Sequence, residues 1–359
     1  MNVNVNKKKR SGKSRIICAI CAICTMLMTA GVLTACTPTV PDGSENIPEE
    51  EDGIEIGLSI DSLVIERWQR ERDLFVSKAT ELGAEVNVQN ANGEVDEQIK
   101  QIQYFIDKKV DVIVVIAIDD EALKNVIAQA KKAGIKIIAY DRLVRNANVD
   151  LYMSIDNEKV GELMGLYIKR KIGNDGTIIQ IKGSPTDYNV QMVQNGFERI
   201  LNTTNIRIAY AEYSDNWVAE NAFRITSNYL ATGKVPDAIM CGNDNLAAQA
   251  IKALIENRLG GEVCVVGQDA DLEACQRIVE GTQYMTVYKP VEKLARTAAE
   301  NAVAMAKGEA LNMTETINDG TYEVPYDRLE PIAVTADNMD EVITGKYHQK
   351  NEIYLNVQE

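Results

Sequence analysis

From Ile54 onward, short apolar runs alternate with longer stretches in which apolar residues recur every three or four positions. Alternation of this kind predicts strands joined by amphipathic helices. The strands fall at 54–60, 85–89, 112–116, 135–140, 151–154, 177–181, 207–213, 238–241, 263–266 and 285–288. The helices fall at 67–82, 95–108, 122–133, 157–172, 190–201, 219–230, 246–256, 272–280 and 291–306. Gly83, Gly134 and Gly308 stand where helix C-termini need a positive φ. Such an order gives right-handed βαβ units and parallel sheets. A single sheet of ten strands is uncommon, so two doubly wound sheets of about five strands each are expected, with a cleft between them. Residues 323–335, interrupted by Pro325 and Pro331, read as strand and crossover. Residues 346–359 are polar and are expected to fray in part.

The first fifty residues follow a different pattern. Lys7, Lys8, Lys9, Arg10, Lys13 and Arg15 precede an apolar run over 16–33, which stops at Leu33-Thr34-Ala35-Cys36. This is the layout of an export signal, and the tetrapeptide resembles a bacterial lipobox whose cysteine carries lipid. The same run could instead serve as one transmembrane anchor. Both readings place the globular part outside the cytoplasm, tethered to a membrane. We therefore expect a lipoprotein signal peptide over 1–35, lipid on Cys36, and a flexible, acidic linker over 36–53.

Across its 359 residues the chain has 45% hydrophobic and 25% charged residues, ordinary for a globular protein. Its net charge is −15, and loss of the six basic leader residues leaves 32 basic against 53 acidic side chains, or −21. A surface this acidic disfavours nucleic acid and anionic lipid. Cys18, Cys21 and Cys24 lie in the leader. Cys241, Cys264 and Cys275 lie in the globular part, Cys241 and Cys264 in strands expected to be buried, and a disulfide among the three is left open.

Three expected strands end in polar pairs: Asp141-Arg142, Asn243-Asp244 and Gln268-Asp269. Ligands of open α/β sheets bind beyond the carboxyl ends of the strands. Carboxylates, amides and a guanidinium gathered there suit a polar, uncharged ligand. Chemistry is not signalled: no phosphate loop, HExxH or EF-hand loop occurs. The one histidine, His348, lies in the tail, which excludes a Ser-His-Asp triad and a His-based metal site within this chain. Neither metal nor cofactor is expected. Asp269 and Asp271 could pass for a glycosidase pair, but Asp271 reads as the N-cap of the helix from Leu272.

Five segments carry a resemblance. They are Ile65-Glu66-Arg67-Trp68-Gln69, Ala139-Tyr140-Asp141-Arg142, 154–161, Gly267-Gln268-Asp269-Ala270-Asp271 and Met285-Thr286-Val287-Tyr288-Lys289-Pro290. In this order, over roughly 300 residues, the chain resembles the D-xylose-binding proteins of bacterial ABC sugar importers, relatives of the ribose and galactose binders. Asp119-Asp120 and Tyr188 depart from that pattern. The resemblance implies a two-lobed, type I periplasmic-binding-protein fold crossed three times by the chain. Residues 54–153 and 291–320 would form one lobe, and 154–290 and 321–359 the other. It also implies a monomeric, non-enzymatic receptor that closes on a monosaccharide, D-xylose or a related aldose, and hands it to an ABC permease. A sugar sensor signalling to a membrane histidine kinase or chemoreceptor is the alternative. A LacI-type regulator would need an N-terminal DNA-binding helix pair where this chain has a leader.

A pyranose needs acceptors, donors and an aromatic plate. Asp141 and Arg142 would supply an acceptor and a donor, or else form a structural ion pair. Arg67 would donate while Trp68 stacks, unless Trp68 anchors its helix in the core. Trp217 would cover the opposite face, or simply pack. Asn189 would contact ligand or cap its helix, and Asn243 would face the ligand while Asp244 caps. Asp269 would accept from a hydroxyl, with Gln268 behind it. Lys289 would donate in the closed state or form a hinge salt bridge. Asp61, Asp119 and Asp120 are weaker candidates at the cleft edge.

Overall fold

The computed structural model describes residues 53–357, so the leader, Cys36 and most of the expected linker lie outside the described residues. The chain begins β1 (Ile54–Ile60), α1 (Glu66–Glu81), β2 (Ala84–Asn90), α2 (Val95–Lys108), β3 (Val112–Val115), α3 (Lys124–Lys132), β4 (Lys136–Tyr140) and β5 (Leu151–Ile155). It continues through α4 (Asn157–Ile172), β6 (Asp175–Lys182), α5 (Tyr188–Leu201), β7 (Asn205–Tyr213), α6 (Glu220–Leu230), β8 (Ala238–Cys241), α7 (Asp244–Glu256) and β9 (Cys264–Val266). Next come α8 (Leu272–Glu280), β10 (Thr286–Tyr288), α9 (Val291–Ala306), β11 (Glu315–Asn318), β12 (Glu323–Leu329) and β13 (Ile332–Val334). Two short helices, α10 (Met339–Val342) and α11 (Lys350–Ile353), close the chain.

The strands form two main sheets, ordered β11-β12-β5-β4-β3-β1-β2 and β7-β6-β8-β9. All pairs within them are parallel except β11 with β12. Central strands such as β3 are apolar throughout and buried on both faces, as parallel strands covered by helices must be. Gly57 on β1 admits the Phe105 ring of α2: a Cβ there would lie 2.6 Å from it. In the second lobe α4 and α5 meet at Gly161 and Gly196, where a Cβ would stand 1.9 Å from a facing backbone carbonyl. Gly83, Gly134 and Gly308 have φ of 86°, 89° and 72°, as their placement after helices requires.

Two expectations need correction. The sheets hold seven and four strands rather than five each. The excess on the first comes from β11 and β12, so residues 323–329, expected in the second lobe, pair with β5 of the first. The chain turns back only at β13, which pairs antiparallel with β10. The tail, expected to fray in part, is anchored by Tyr347, His348 and Ile353, which are buried, Tyr347 and Ile353 in an apolar cluster with Ala270, Cys275 and Ile278. The chain passes between the sheets after β5, around β10, and after β12. The helix α9 packs on α1 and so rides with the first sheet.

Candidate functional site

The loops at the carboxyl ends of both sheets face one another across a cavity. All nine residues expected to touch ligand line it. The cavity holds about 550 Å³ of free space, part of it continuous with solvent. Arg67 and Trp68 enter from the first turn of α1, and Asp141 and Arg142 from the end of β4. From the other side come Asn189 on α5, Trp217 on a 3₁₀ turn, Asn243 after β8, Asp269 after β9 and Lys289 after β10.

A buried ion-pair network frames the space. Arg67 Nη2 donates to Asp141 Oδ2 at 2.7 Å and its Nη1 reaches Asp269 Oδ1 at 3.6 Å, while its Nε bonds Glu71 one turn along the helix. Lys289 Nζ lies 3.0 Å from the same Asp269 Oδ1, in ion-pair contact without hydrogen-bond alignment. Arg142 is held by Asp61 at 2.7 Å and Asp187 at 2.8 Å. Asp141 sits at φ 62°, unusual for a non-glycine residue. Its carbonyl accepts from Tyr152 Oη, Ser154 Oγ and Asn189 Nδ2, three bonds that fix this turn.

Five carboxylates (Asp61, Glu71, Asp141, Asp187, Asp269) thus share three cations. Burial and pairing move Asp141, Glu71 and Asp187 in different directions. Burial acts to raise the pKa of Asp141, but Arg67, Lys289 and Arg142 together outweigh it and hold the carboxyl below its ordinary range. Burial prevails at Glu71, which is pushed up to about 6 despite Arg67, and at Asp187, which is raised despite Arg142.

The two indoles complete the lining. Trp68 is 2% exposed, with the Arg67 guanidinium 4.3 Å from its ring centroid. Trp217 lies flush on Gly183, where a Cβ would stand 2.1 Å from its Cη2. Trp68 Nε1, Trp217 Nε1, Gln180 Nε2 and Gln268 Oε1 are buried and find no hydrogen-bond partner among the described residues. Gln194 Oε1 and Asp269 Oδ1 of the same lining are likewise unbonded, and three donors with three acceptors left open around one cavity are costly unless a ligand or water meets them.

Several side chains do other work than expected. Asn243 itself caps α7, its Oδ1 accepting from Leu246 N at 2.9 Å, which leaves its amide NH₂ for the cavity. Asp244 turns inward to Thr286 Oγ1 and Gln283 Nε2. Asn189 does not cap α5; Asp187 does, accepting from Asn189 N at 3.0 Å. Asp271 occupies the N-cap position of α8 but makes no side-chain cap bond. Asp61, Asp119 and Asp120 lie outside the cavity lining: Asp61 orients Arg142, and Asp119 accepts from the backbone of Glu121 and Ala122. Cys241, Cys264 and Cys275 are free and buried, so no disulfide joins them. Asp187 and Gln180 were missed. The Ser-Pro-Thr-Asp run before a helix was a capping signal for Asp187, and an amide at a core position of β6 was the signal for Gln180.

The periplasmic binding protein domain matches residues 56–310. The D-xylose-binding periplasmic protein of Haemophilus influenzae is 46% identical over 84% of this chain and 92% of its own length. That of Escherichia coli is 41% identical over 90% of this chain and 98% of its own. Among solved structures, an ABC transporter solute-binding protein from Clostridium phytofermentans with bound β-D-glucose superposes with a TM-score of 0.77 at 26% identity. That match covers 83% of this chain and 99% of the other.

Proposed function

The chain belongs to the periplasmic binding protein family, and from that premise we propose that it captures D-xylose outside the cytoplasm and delivers it to an ABC importer. One observation carries the reading. Unpaired donors on two indoles and an amide line a cavity between the lobes whose charged groups are already fixed by one another. A neutral polyhydroxylated ring satisfies that arrangement. Its hydroxyls accept from Arg67, Arg142, Lys289 and the free amides, and donate to Asp141 and Asp269. Its C–H faces lie against Trp68 and Trp217. Because both partners of each charged pair stay in place, sugar binding adds charge-assisted bonds without new desolvation of bare ions.

On this reading the sugar is held and released unaltered. The lobes are 54–155 with α9, β11 and β12, and 156–290 with the tail, closing about the three crossings. The receptor is a monomer tethered by lipid on Cys36. Replacing Cys36 by Ser should release the protein into the medium if that tether is right.

Thermal shift across D-xylose, L-arabinose, D-ribose, D-glucose and D-galactose, followed by calorimetry, tests the ligand. A ligand that binds only the folded form raises the midpoint, so D-xylose should give the largest rise. No rise with D-xylose sinks the reading. Arg142→Ala and Asp269→Ala should each weaken binding more than tenfold, because each strands buried polar partners.

A further inference from the structure

The tail segment around Tyr347 and His348 touches residues next to two charged side chains of the cavity wall and one turn along the helix from a third. His348 Nε2 donates to the Ala270 carbonyl at 2.8 Å, next to Asp269. The Tyr347 ring packs on Tyr288, centroids 5.0 Å apart, next to Lys289. Arg70, one turn after Arg67 on α1, donates to the Tyr347 carbonyl at 2.7 Å and lays its guanidinium 4.1 Å from the Tyr347 ring centroid. The histidine and tyrosine are 5% and 7% exposed, and their rings meet edge to face at 4.5 Å.

The loop they hold is under strain. Asp269 and Ala270 have φ of 106° and 56°, a region non-glycine residues avoid. Such a conformation persists only where its surroundings over-determine it. The bonds that do so are Asp269 N to Val287 O, Ala270 N to Thr286 Oγ1, Asp271 N to Asp244 Oδ2, and the His348 contact on the Ala270 carbonyl, which also accepts weakly from Cys275 Sγ at 3.6 Å. The first three come from β10 and from the start of α7, both in the second lobe. The fourth comes from the tail, and through Tyr347 the tail is gripped by a helix of the first sheet.

We propose that the Tyr347-His348 segment is a strap that positions Asp269 and Lys289 for the sugar and ties their placement to closure of the first lobe through Arg70. His348 and Tyr347 do not line the cavity, so they act through Ala270 and Tyr288 and are positioning residues. The carbonyl acceptor requires hydrogen on Nε2, which both the neutral Nε2–H tautomer and the imidazolium provide, so the strap works at either protonation state.

The inference rests on the sugar-binding reading, and the test separates the two. Calorimetry with D-xylose on the wild-type chain comes first: no binding there sinks the reading itself. With binding established, His348→Ala should raise the dissociation constant at least tenfold, and His348→Gln, which keeps a donor at similar reach, should stay within threefold. Unfolding curves without sugar accompany both. If His348→Ala lowers only the melting midpoint and binds as wild type, the strap is a stability element and the proposal fails. It fails equally if Ala and Gln variants are weakened alike. Should His348→Ala not fold, Arg70→Ala carries the test. Its side chain is 31% exposed, and its loss should speed sugar dissociation at least threefold, an unchanged rate overturning the coupling.

Discussion

Arg142 Nε lies 2.8 Å from Asp187 Oδ2, and the two residues come from opposite walls of the cavity. The pair is buried, 4% and 3% exposed at the side chains, so it is little screened by salt. It therefore acts as a tie across the closed form. Asp187→Asn keeps the α5 cap, since Asn and Asp cap equally well, and removes the charge together with the acceptor that faces Arg142 Nε. Arg142 retains Asp61 and stays oriented. We expect at least tenfold weaker D-xylose binding, expressed mainly as faster dissociation. Stopped-flow tryptophan fluorescence measures it; an unchanged off-rate would show that the tie is idle.

Gly183 gives Trp217 its seat. A methyl there would meet the indole at 2.1 to 2.5 Å, and the indole, on a short exposed turn with φ of 52° and 58° at Asn216 and Trp217, is the part free to move. Gly183→Ala should therefore fold, displace the ring, and weaken sugar binding at least tenfold. The emission change on adding D-xylose should shrink in parallel. Wild-type affinity in this variant would remove Trp217 from the binding wall.

Much of this site was legible because parallel sheets put loop chemistry at strand ends, where Asp141-Arg142 and Gln268-Asp269 stand out against apolar runs. What escaped was set by partners far away in sequence. Asn243 and Asp244 can both cap, and the choice falls to Asn243 because Asp244 finds Thr286 and Gln283, some forty residues on. The strand β11 is polar and largely exposed, so no period-two pattern marked it, although the Asp319-Gly320 turn after it was a hairpin signal. The tail looked frayed because its apolar residues are sparse. Tyr347, Ile353 and Tyr354 nonetheless pack in one cluster with α8 and the loop before it, while Leu355 stays exposed.

Asn243 combines two roles that substitution can separate. Its Oδ1 caps α7, and we propose that its Nδ2 donates to the sugar. Asn243→Asp should keep the cap and the melting midpoint while losing the donor and at least tenfold in affinity. Asn243→Ala should lose both, with about 1 kcal/mol of stability. Equal melting midpoints for the two variants would sink the capping role, and wild-type affinity in the Asp variant would sink the donor role.

Glu71 makes folding stability depend on pH in a direction opposite to that of a simple ion-paired carboxylate. Burial raises it from its ordinary 4.5 to about 6, although Arg67 and the Tyr140 hydroxyl bond it. A raised pKa means the folded state holds the proton more tightly than the unfolded chain. The stabilisation is complete below about pH 4.5 and is lost as pH climbs through about 6, a change of about 2 kcal/mol. Asp141 works the other way: held below 3.8, it contributes stability that disappears only in stronger acid. The melting midpoint of the sugar-free protein should accordingly fall between about pH 4.5 and 6.5, and Glu71→Gln, which fixes the neutral form, should flatten that slope. Arg67 would keep Asp141 and Asp269 as partners in the variant, so the cavity frame should survive. An identical slope in wild type and Glu71→Gln would assign the titration to another carboxylate that burial raises, Asp120, Asp187 or Asp244.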